Sequence, residues 1–380
     1  MNSQALFNNP ESANFEFRTP IRTLHSAIKV LLVDDSILTL AILKRMLADI
    51  PEIQVVGTAV NGREALNLIP SLQPDVICTD LHMPVMGGLE FIRAVMEKFP
   101  RPVLVLSISV QQGQVANIFQ LLEAGAIDVM AKPLGGVGMD TGLDARELIA
   151  KIKILAGVVV IRKHHKAHDA LAPPSVNDFS QIKAAPLRII GIGASTGGPQ
   201  AFQEILTHLP GDLPVPVICV QHISEEFMQG MVDWLAPQCQ LKIMTAVTGI
   251  EPQPGTVYFP RGGSHLIVDS QGRLECTNAP IYNGHRPSIS VTFNSLAQHY
   301  AGETAGVLLT GMGRDGVEGI LSIARAGGVT IAQDEESSIV FGMPKEAVEQ
   351  GAVQHILPLD QIAPMLRVVA GRMRSKSITV

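Results

Sequence analysis

The length, composition and charge of the chain exclude several classes of protein. Its 380 residues exceed what one ordinary hydrophobic core organises, so two domains are expected. With 46% hydrophobic and 17% charged residues, the chain has the balance of a globular protein and not of a disordered one. The formal net charge of −6 argues against a nucleic-acid partner. No hydrophobic run reaches the roughly 18 residues of a membrane span, so no direct membrane insertion is expected.

The four cysteines are isolated in the sequence, at Cys78, Cys219, Cys239 and Cys276. None forms a C-x-x-C pair, which disfavours a zinc site and a disulfide framework. Cys78 and Cys219 lie in hydrophobic runs, which predicts buried thiols. We expect a cytoplasmic protein, because free thiols suit a reducing compartment and the N-terminus has no secretion signal.

The first part of the chain alternates between strand-like and helix-like segments. Residues 1–27 are polar and aperiodic and are predicted to be a flexible leader. Strands are predicted at 28–33, 53–57, 75–79, 103–107 and 127–130, and helices at 36–48, 62–69, 89–99, 115–123 and 144–161. Such an alternation predicts a domain at 28–163 built on a doubly wound parallel sheet.

A break in composition separates this part from a second α/β pattern. Residues 164–186 contain Pro173, Pro174 and few bulky side chains, which predicts a linker. A second domain is predicted at 187–376. Its strands are expected at 187–192, 215–221, 306–310 and 329–332, its helices at 289–300, 317–326 and 358–373, and short strands and turns across 257–275. The predicted fold class is therefore two α/β parallel-sheet domains in succession.

Polar side chains stand where four strands of the first domain end. Asp34 and Asp35 follow the first strand, Asp80 follows the third, Ser107 ends the fourth, and Lys132 follows the fifth. The carboxyl ends of parallel strands meet at one edge of the sheet, where ligands bind. Three carboxylates at that edge repel one another unless a cation lies among them, and oxygen ligands suit Mg²⁺. Polar residues at strand ends are common in α/β domains, but four such strands together favour a functional site.

Residues 28 to about 160 resemble the receiver domain of bacterial two-component response regulators, which is flavodoxin-like. The resemblance implies that Asp80 is the phospho-acceptor. It also implies the groups that assist it, which are the metal-binding Asp34 and Asp35 beside Asp80, the switch hydroxyl of Ser107 and the phosphate-contacting Lys132. Phosphorylation would require Mg²⁺. The chain departs from the family pattern at Val129, where an aromatic residue is usual.

A glycine-rich segment at 191–198 joins a predicted strand to a predicted helix, and two interpretations compete. Such turns bind the pyrophosphate of nucleotides, but the G-x-G-x-x-G fingerprint fails because Thr196 occupies the third glycine position. Alternatively, Ser195 lies in a G-x-S-x-G pattern, which presents a serine nucleophile at the tip of a turn. Taken alone, this pattern is a weak signal, because ordinary structural turns satisfy it too.

A serine nucleophile needs a base and a carboxylate that orients the base. His222 follows the next predicted strand, and Asp315 lies in the glycine-rich segment after strand 306–310, so both are expected at the sheet edge of Ser195. A histidine at a strand end is usually an ordinary polar residue, and Asp315 would equally serve as a helix cap. The coincidence of all three residues favours catalysis. Their order differs from that of the α/β-hydrolases, which excludes that superfamily.

Residues 187 to about 372 resemble the catalytic domain of the chemotaxis protein-glutamate methylesterases. The stretches that carry the resemblance are 192–198, 221–222, 285–288, 309–316 and 340–347. The resemblance implies Ser195 as nucleophile, His222 as base and Asp315 as its orienting carboxylate. It also implies a backbone oxyanion contact near Met312 and a role beside the site for Thr196.

Three further motif residues are assigned no catalytic role. His285 and Arg286 belong to one matching stretch, and His265 has a similar status. They either line the mouth of the site or contact the substrate.

Together the two resemblances imply a phosphorylation-activated hydrolase. Its substrate would be a methylated glutamate of a methyl-accepting chemoreceptor, and methanol would be the leaving group. Glutamine deamidation would follow the same chemistry. A chemotaxis histidine kinase would be the phosphodonor, and hydrolysis itself would need no cofactor. The alternative is a response regulator whose C-terminal half is a phosphorylation-gated binding module without esterase activity.

Overall fold

The computed structural model describes residues 15–18, 26–107, 115–133, 141–162 and 185–371. Contacts within the chain divide it into two compact units, each built on its own parallel sheet. The predicted linker lies outside the described residues except for residues 185 and 186. No helix in the described ranges has both the length and the apolar character that crossing a membrane requires.

The first unit alternates strands and helices along the chain. Its elements are β1 (Phe15–Arg18), β2 (Ile28–Val33), α1 (Ile37–Ala48), β3 (Ile53–Ala59), α2 (Gly62–Leu72), β4 (Val76–Thr79), α3 (Gly88–Lys98), β5 (Val103–Ser107), α4 (Val115–Glu123), β6 (Asp128–Ala131), α5 (Thr141–Leu155) and β7 (Val159–Arg162). The strand order is β3-β2-β4-β5-β6, and every neighbouring pair is parallel. This is the flavodoxin-like winding, so the predicted fold is confirmed.

Helix α1 shows how the local sequence produces these elements. The side chain of Ser36 accepts a hydrogen bond from the backbone N–H of Thr39, which caps the first turn. Leu40, Leu43 and Leu47 recur at helical spacing and are buried against the sheet. The capped helix therefore begins immediately after Asp34 and Asp35, the two aspartates that follow β2.

The two ends of the first unit differ from the prediction. The predicted helix 144–161 ends at Leu155, and β7 follows it. Strand β7 pairs antiparallel with β1 (Phe15–Arg18), which lies in the leader that was predicted to be flexible. The β-branched run from Val158 onward favours a strand once a partner is present, and that partner is remote in sequence.

The second unit is centred on seven strands. Its elements are β8 (Ile189–Ala194), α6 (Gly198–Thr207), β9 (Val217–Gln221), α7 (Glu225–Leu235), β10 (Lys242–Thr245), β11 (Thr256–Phe259), β12 (His265–Val268), β13 (Leu274–Thr277), α8 (Ile289–Tyr300), β14 (Thr304–Leu308), α9 (Val317–Arg325), β15 (Val329–Gln333), α10 (Met343–Glu349), β16 (His355–Leu357) and α11 (Leu359–Ala370). Of these, β10, α10 and β16 were not predicted.

The order of the seven strands is β10-β11-β9-β8-β14-β15-β16, with parallel pairing throughout. Strands β8 to β11 lie on one side of the sheet, with β11 between β9 and β10, and strands β14 to β16 lie on the other side. The point where β8 and β14 lie side by side is therefore the switch point of the sheet, where α/β proteins bind their ligands. Strands β12 and β13 form a separate antiparallel hairpin.

A hydrophobic core lies between this sheet and its helices. Helix α8 packs on the sheet through Ile289, Phe293 and Leu296, which are fully buried. Glycines in β8 permit this close approach, because a Cβ added at Gly193 would lie 2.3 Å from Cγ2 of Ile289. The same packing brings the N-terminus of α8 to the switch point.

Candidate functional site

The first unit gathers its acidic residues where the sequence predicts them. Nζ of Lys132 lies 2.6 Å from Oδ2 of Asp34 and 2.7 Å from Oδ2 of Asp80. The side chains of Asp34 and Lys132 are each 2% exposed, and that of Asp80 is 10% exposed. The backbone N–H of Leu81 donates to Oδ1 of Asp80 at 2.6 Å. Burial raises the pKa of Asp80, and the interactions with Lys132 offset only part of that effect.

The acidic cluster fits a divalent cation. Asp34, Asp35 and Asp80 each offer a carboxylate oxygen, and these oxygens all lie within 4.8 Å of one another. An all-oxygen donor set suits Mg²⁺. Asp35 is exposed, which leaves one side of the cluster open to solvent.

The predicted switch hydroxyl of Ser107 and the atypical Val129 lie on the neighbouring strands β5 and β6. Ser107 is buried at the end of β5, and its carbonyl accepts the backbone N–H of Lys132 at 2.8 Å. Val129 is 3% exposed within β6 and pairs with Val105 of β5. Val129 is therefore a core residue of the sheet, where the family usually places an aromatic side chain.

In the second unit, Ser195 occupies the turn between β8 and α6. Its backbone N–H donates to the carbonyl of Thr310, which ties the turn to the segment after β14. Gly311 packs against the serine, since a Cβ added there would lie 2.7 Å from Cβ of Ser195. Gly197 has a φ of 78°, which lets the chain enter α6 immediately after the serine. Ser195 is half-exposed, and its hydroxyl forms no hydrogen bond to the described protein atoms.

His222 and Asp315 form a close pair at the same edge of the sheet. Nε2 of His222 lies 2.8 Å from Oδ2 of Asp315, and both side chains are buried. The other ring nitrogen, Nδ1, is buried without a hydrogen-bond partner among the described residues. Nε2 therefore faces the carboxylate as its hydrogen-bond donor, and Nδ1 is the ring nitrogen left for another partner.

Asp315 is held by the N-terminus of α8. The hydroxyl of Ser288 donates to Oδ1 at 2.8 Å, and the backbone N–H groups of Ile289 and Ser290 donate at 2.6 and 3.1 Å. Burial by itself raises the pKa of Asp315, but the hydrogen bonds from His222, Ser288 and Ile289 outweigh it. The pKa therefore lies well below its usual range. Asp315 is a fixed negative charge that orients the histidine ring.

Met312 and Thr196 flank the serine with backbone N–H groups that have no protein acceptor among the described residues. Met312 lies in the loop after β14 and is 46% exposed. The side chain of Thr196 is buried, and its carbonyl accepts the hydroxyl of Thr310 at 3.0 Å. These two N–H groups are therefore available as donors to an external acceptor.

Comparison with known proteins agrees with this geometry. Residues 190–366 match the family model described as CheB methylesterase, and residues 30–153 match that of the response regulator receiver domain. A protein-glutamate methylesterase/protein-glutamine glutaminase 4 of Geobacter metallireducens is 40% identical over 344 residues, which cover 90% of this chain and 99% of the relative. This chain belongs to the CheB methylesterase family.

A second relative shows similar coverage, and one solved structure matches the second unit. A protein-glutamate methylesterase/protein-glutamine glutaminase of Nitrosospira multiformis is 38% identical over 351 residues, covering 92% of this chain and 99% of its own length. The Thermotoga maritima CheB methylesterase catalytic domain has a crystal structure. It is 35% identical, and the match covers 48% of this chain and 98% of that one with a TM-score of 0.47. Membership of the CheB family supports the hydrolase interpretation over the binding-module alternative.

The structure adds one residue next to Ser195 and His222 that had no predicted role. Nε2 of Gln221 donates to the carbonyl of Ser195 at 2.8 Å and to the carbonyl of His222 at 2.9 Å. The side chain is 1% exposed. One buried amide therefore joins the backbone of the serine turn to that of the histidine. Gln221 lies within a stretch that carries the resemblance, but its two acceptors become neighbours only when β8 and β9 pair.

The motif residues around the triad have distinct positions. The ring of His285 stacks on that of His222 with centroids 3.8 Å apart and an angle of 4° between the planes. Nδ1 of His265 accepts the backbone N–H of Ser288 at 3.1 Å, behind Asp315. His265 thus supports the cap of α8 from within the protein, whereas the half-buried His285 covers one face of the His222 ring.

Proposed function

We propose that this chain is a receiver-controlled protein-glutamate methylesterase and protein-glutamine glutaminase. The observation that carries the proposal is the 2.8 Å contact between His222 and Asp315 at the sheet edge that also presents Ser195. Relatives that align over nearly their whole length carry this activity in their names. We assign the receiver to residues 28–163 and the catalytic domain to residues 187–376.

In the proposed reaction, Ser195 attacks the carbonyl carbon of a glutamate methyl ester. The hydroxyl turns toward His222, whose Nδ1 takes its proton as the new C–O bond forms. Asp315 stabilises the resulting imidazolium through Nε2. The backbone N–H groups of Met312 and Thr196 receive the oxyanion. The imidazolium then protonates the methoxide oxygen, and methanol leaves an acyl group on Ser195.

Water completes the cycle by the same route. His222 accepts a proton from the water that attacks the acyl-serine, and returns it to the oxygen of Ser195. The product is a glutamate carboxylate. With a glutamine substrate the leaving group is ammonia, and every other step is the same.

The receiver supplies the control. Asp80 is the acceptor of the phosphoryl group in this proposal, with a chemotaxis histidine kinase or a small acyl phosphate as donor. Asp34, Asp35 and Asp80 would hold Mg²⁺, which supplies positive charge to the transferring phosphoryl group. Lys132 is within reach of Asp80 to contact the new phosphate, and the buried Ser107 provides the switch hydroxyl.

The substrate in this proposal is a methyl-accepting chemoreceptor, and the unphosphorylated receiver restricts its access to Ser195. A cytoplasmic location is part of the proposal. The four cysteines are free thiols, which suits a reducing compartment.

The proposal is tested by methanol release from methylated chemoreceptor membranes, with and without acetyl phosphate and Mg²⁺. We expect release by the wild-type chain to rise with acetyl phosphate, and release by Asp80→Asn to ignore it. Ser195→Ala should release no methanol while keeping the wild-type circular dichroism spectrum. Turnover by Ser195→Ala would remove the serine as nucleophile. Equal stimulation of Asp80→Asn would remove Asp80 as the acceptor.

A further inference from the structure

A cleft of about 950 Å³ lies in the second unit, and the proposed reaction does not use it. Its walls come from the start of α7, from the segment before β12 and from the segment before α8. Charged side chains in the lining are Glu225, Arg261 and Arg286. We call this feature the arginine cleft.

The arginine cleft adjoins the triad on the side of the base. Arg286 follows His285, whose ring stacks on His222 at 3.8 Å. Glu225 begins α7 three residues after His222. A ligand in the cleft therefore lies beside the histidine that is proposed to act as base.

A second connection runs through the N-terminus of α8. Ser264 lines the cleft and precedes His265, which accepts the backbone N–H of Ser288. Ser288 in turn donates its hydroxyl to Asp315. The wall of the cleft is thus connected, through buried hydrogen bonds, to the residues that hold Asp315.

The arginines of the cleft have no carboxylate partner in the described part of the chain. Two arginines elsewhere in this unit do, since Arg188 pairs with Glu303 and Arg314 pairs with Glu346. Arg286 is exposed, and Nη1 makes only long contacts of 3.5 and 3.4 Å to the carbonyls of residues 278 and 279. Its guanidinium retains most of its donors for an external anion.

We propose that the arginine cleft binds an acidic segment of the protein substrate next to the glutamate whose ester is cleaved. Arg261 and Arg286 are then specificity-determining residues. This inference rests on the proposed function. A glutamate side chain on a protein reaches Ser195 together with the residues that flank it, so these residues need a surface beside the triad. Guanidinium groups recognise carboxylates, and each completed turnover leaves a carboxylate on the substrate.

The test compares two substrates with the full chain under acetyl phosphate and Mg²⁺. One is a methylated chemoreceptor in membranes. The other is a small uncharged ester, N-acetyl-glutamate α-amide γ-methyl ester. For the double variant Arg261→Gln/Arg286→Gln we expect the KM for the receptor to rise about tenfold. The variant loses two arginine–carboxylate pairs, and each such pair at a protein surface changes affinity by roughly fivefold or less. The KM for the small ester should shift far less. Added salt should raise the receptor KM more in the wild type than in the double variant.

Two control variants make the comparison specific. Arg286→Lys keeps the charge and should recover part of the receptor affinity. Arg325→Gln removes an exposed arginine in the last turn of α9 and should leave both KM values at the wild-type level. An unchanged receptor KM in the double variant would overturn the inference, and so would an equal loss on both substrates. If the wild type releases methanol from neither substrate, the proposed function is overturned, and this inference with it.

Discussion

Asp315 illustrates what a single residue contributes to this fold and to its site. Its carboxylate is buried, and it accepts hydrogen bonds from a hydroxyl, two backbone N–H groups and His222. The folded-state pKa lies below the ordinary 3.8, so the carboxylate stabilises the fold at pH values above 3.8. That contribution is lost as the pH falls through the folded-state pKa.

Replacing Asp315 by alanine should lower both stability and turnover. The substitution leaves several buried donors without an acceptor, which costs roughly 3 kcal/mol of unfolding free energy at pH 7. The difference from wild type should shrink as urea unfolding is repeated at decreasing pH below 3.8. We expect kcat to fall about a thousandfold because the histidine loses its orienting charge. Asp212→Ala, at an exposed position, is the matched control. A pH-independent difference would contradict this assignment.

Gln221 acts through its neighbours, so it is a positioning residue. Gln221→Leu removes the donor shared by the carbonyls of Ser195 and His222. We expect kcat to fall about tenfold, because a tenfold loss of rate corresponds to the net free energy of one or two hydrogen bonds. KM should stay within twofold of wild type. Gln203→Leu, which removes an exposed amide on α6, should leave both constants unchanged. A change confined to KM would show that Gln221 contacts the substrate instead.

At the scale of elements, the winding of the second sheet accounts for the site. Strands β8 and β14 are neighbours at the switch point, and β9 lies on the other side of β8. The loops after these three strands carry Ser195, Asp315 and His222. Residues that are 93 positions apart in the chain, His222 and Asp315, therefore meet at hydrogen-bond distance. Loops on a rigid parallel sheet hold such a set in fixed geometry.

The glycine before α9 is required by packing as well as by backbone conformation. Gly316 has a φ of 88°, and a Cβ there would lie 2.5 Å from Cδ1 of Leu308. Gly313 has a φ of 94° but open space around it. Gly313→Ala should cost about 1 kcal/mol for the backbone alone. Gly316→Ala should cost roughly 3 kcal/mol because a buried clash is added. Chemical denaturation of both variants measures the difference, and equal losses would argue against a clash.

The bounds of the helices and strands show which elements the local sequence is sufficient to predict. Strand β5 and helices α4 and α8 begin and end where their patterns predict. Strand β14 begins and ends two residues earlier than predicted, because its pairing with β8 sets the register. Strand β7 was predicted as the end of a helix. Its strand conformation depends on β1, and a pairing so remote in sequence leaves no local signal.

At the scale of the whole molecule, two units with separate sheets predict separable activities. A chain that begins at residue 185 should release methanol from receptor membranes faster than the unphosphorylated full chain, because the receiver no longer restricts access. Acetyl phosphate should stimulate only the full chain. Side-by-side initial rates at equal concentration measure this effect, with Ser195→Ala in both lengths as the blank. A slower or equal rate for the short chain would contradict simple occlusion.

The sequence by itself determined the two α/β folds, and it predicted which residues would gather at the edge of each sheet. Alternating hydrophobic runs specify parallel sheets, and polar residues at strand ends converge at one edge because parallel strands share a direction. Tertiary structure alone decided which ring nitrogen of His222 meets Asp315, which groups hold that carboxylate, and that Gln221 joins two strands. It also formed the arginine cleft. These contacts depend on how the strands pair and on how α8 packs. The local sequence around each residue does not indicate which residues far away in the chain it will meet.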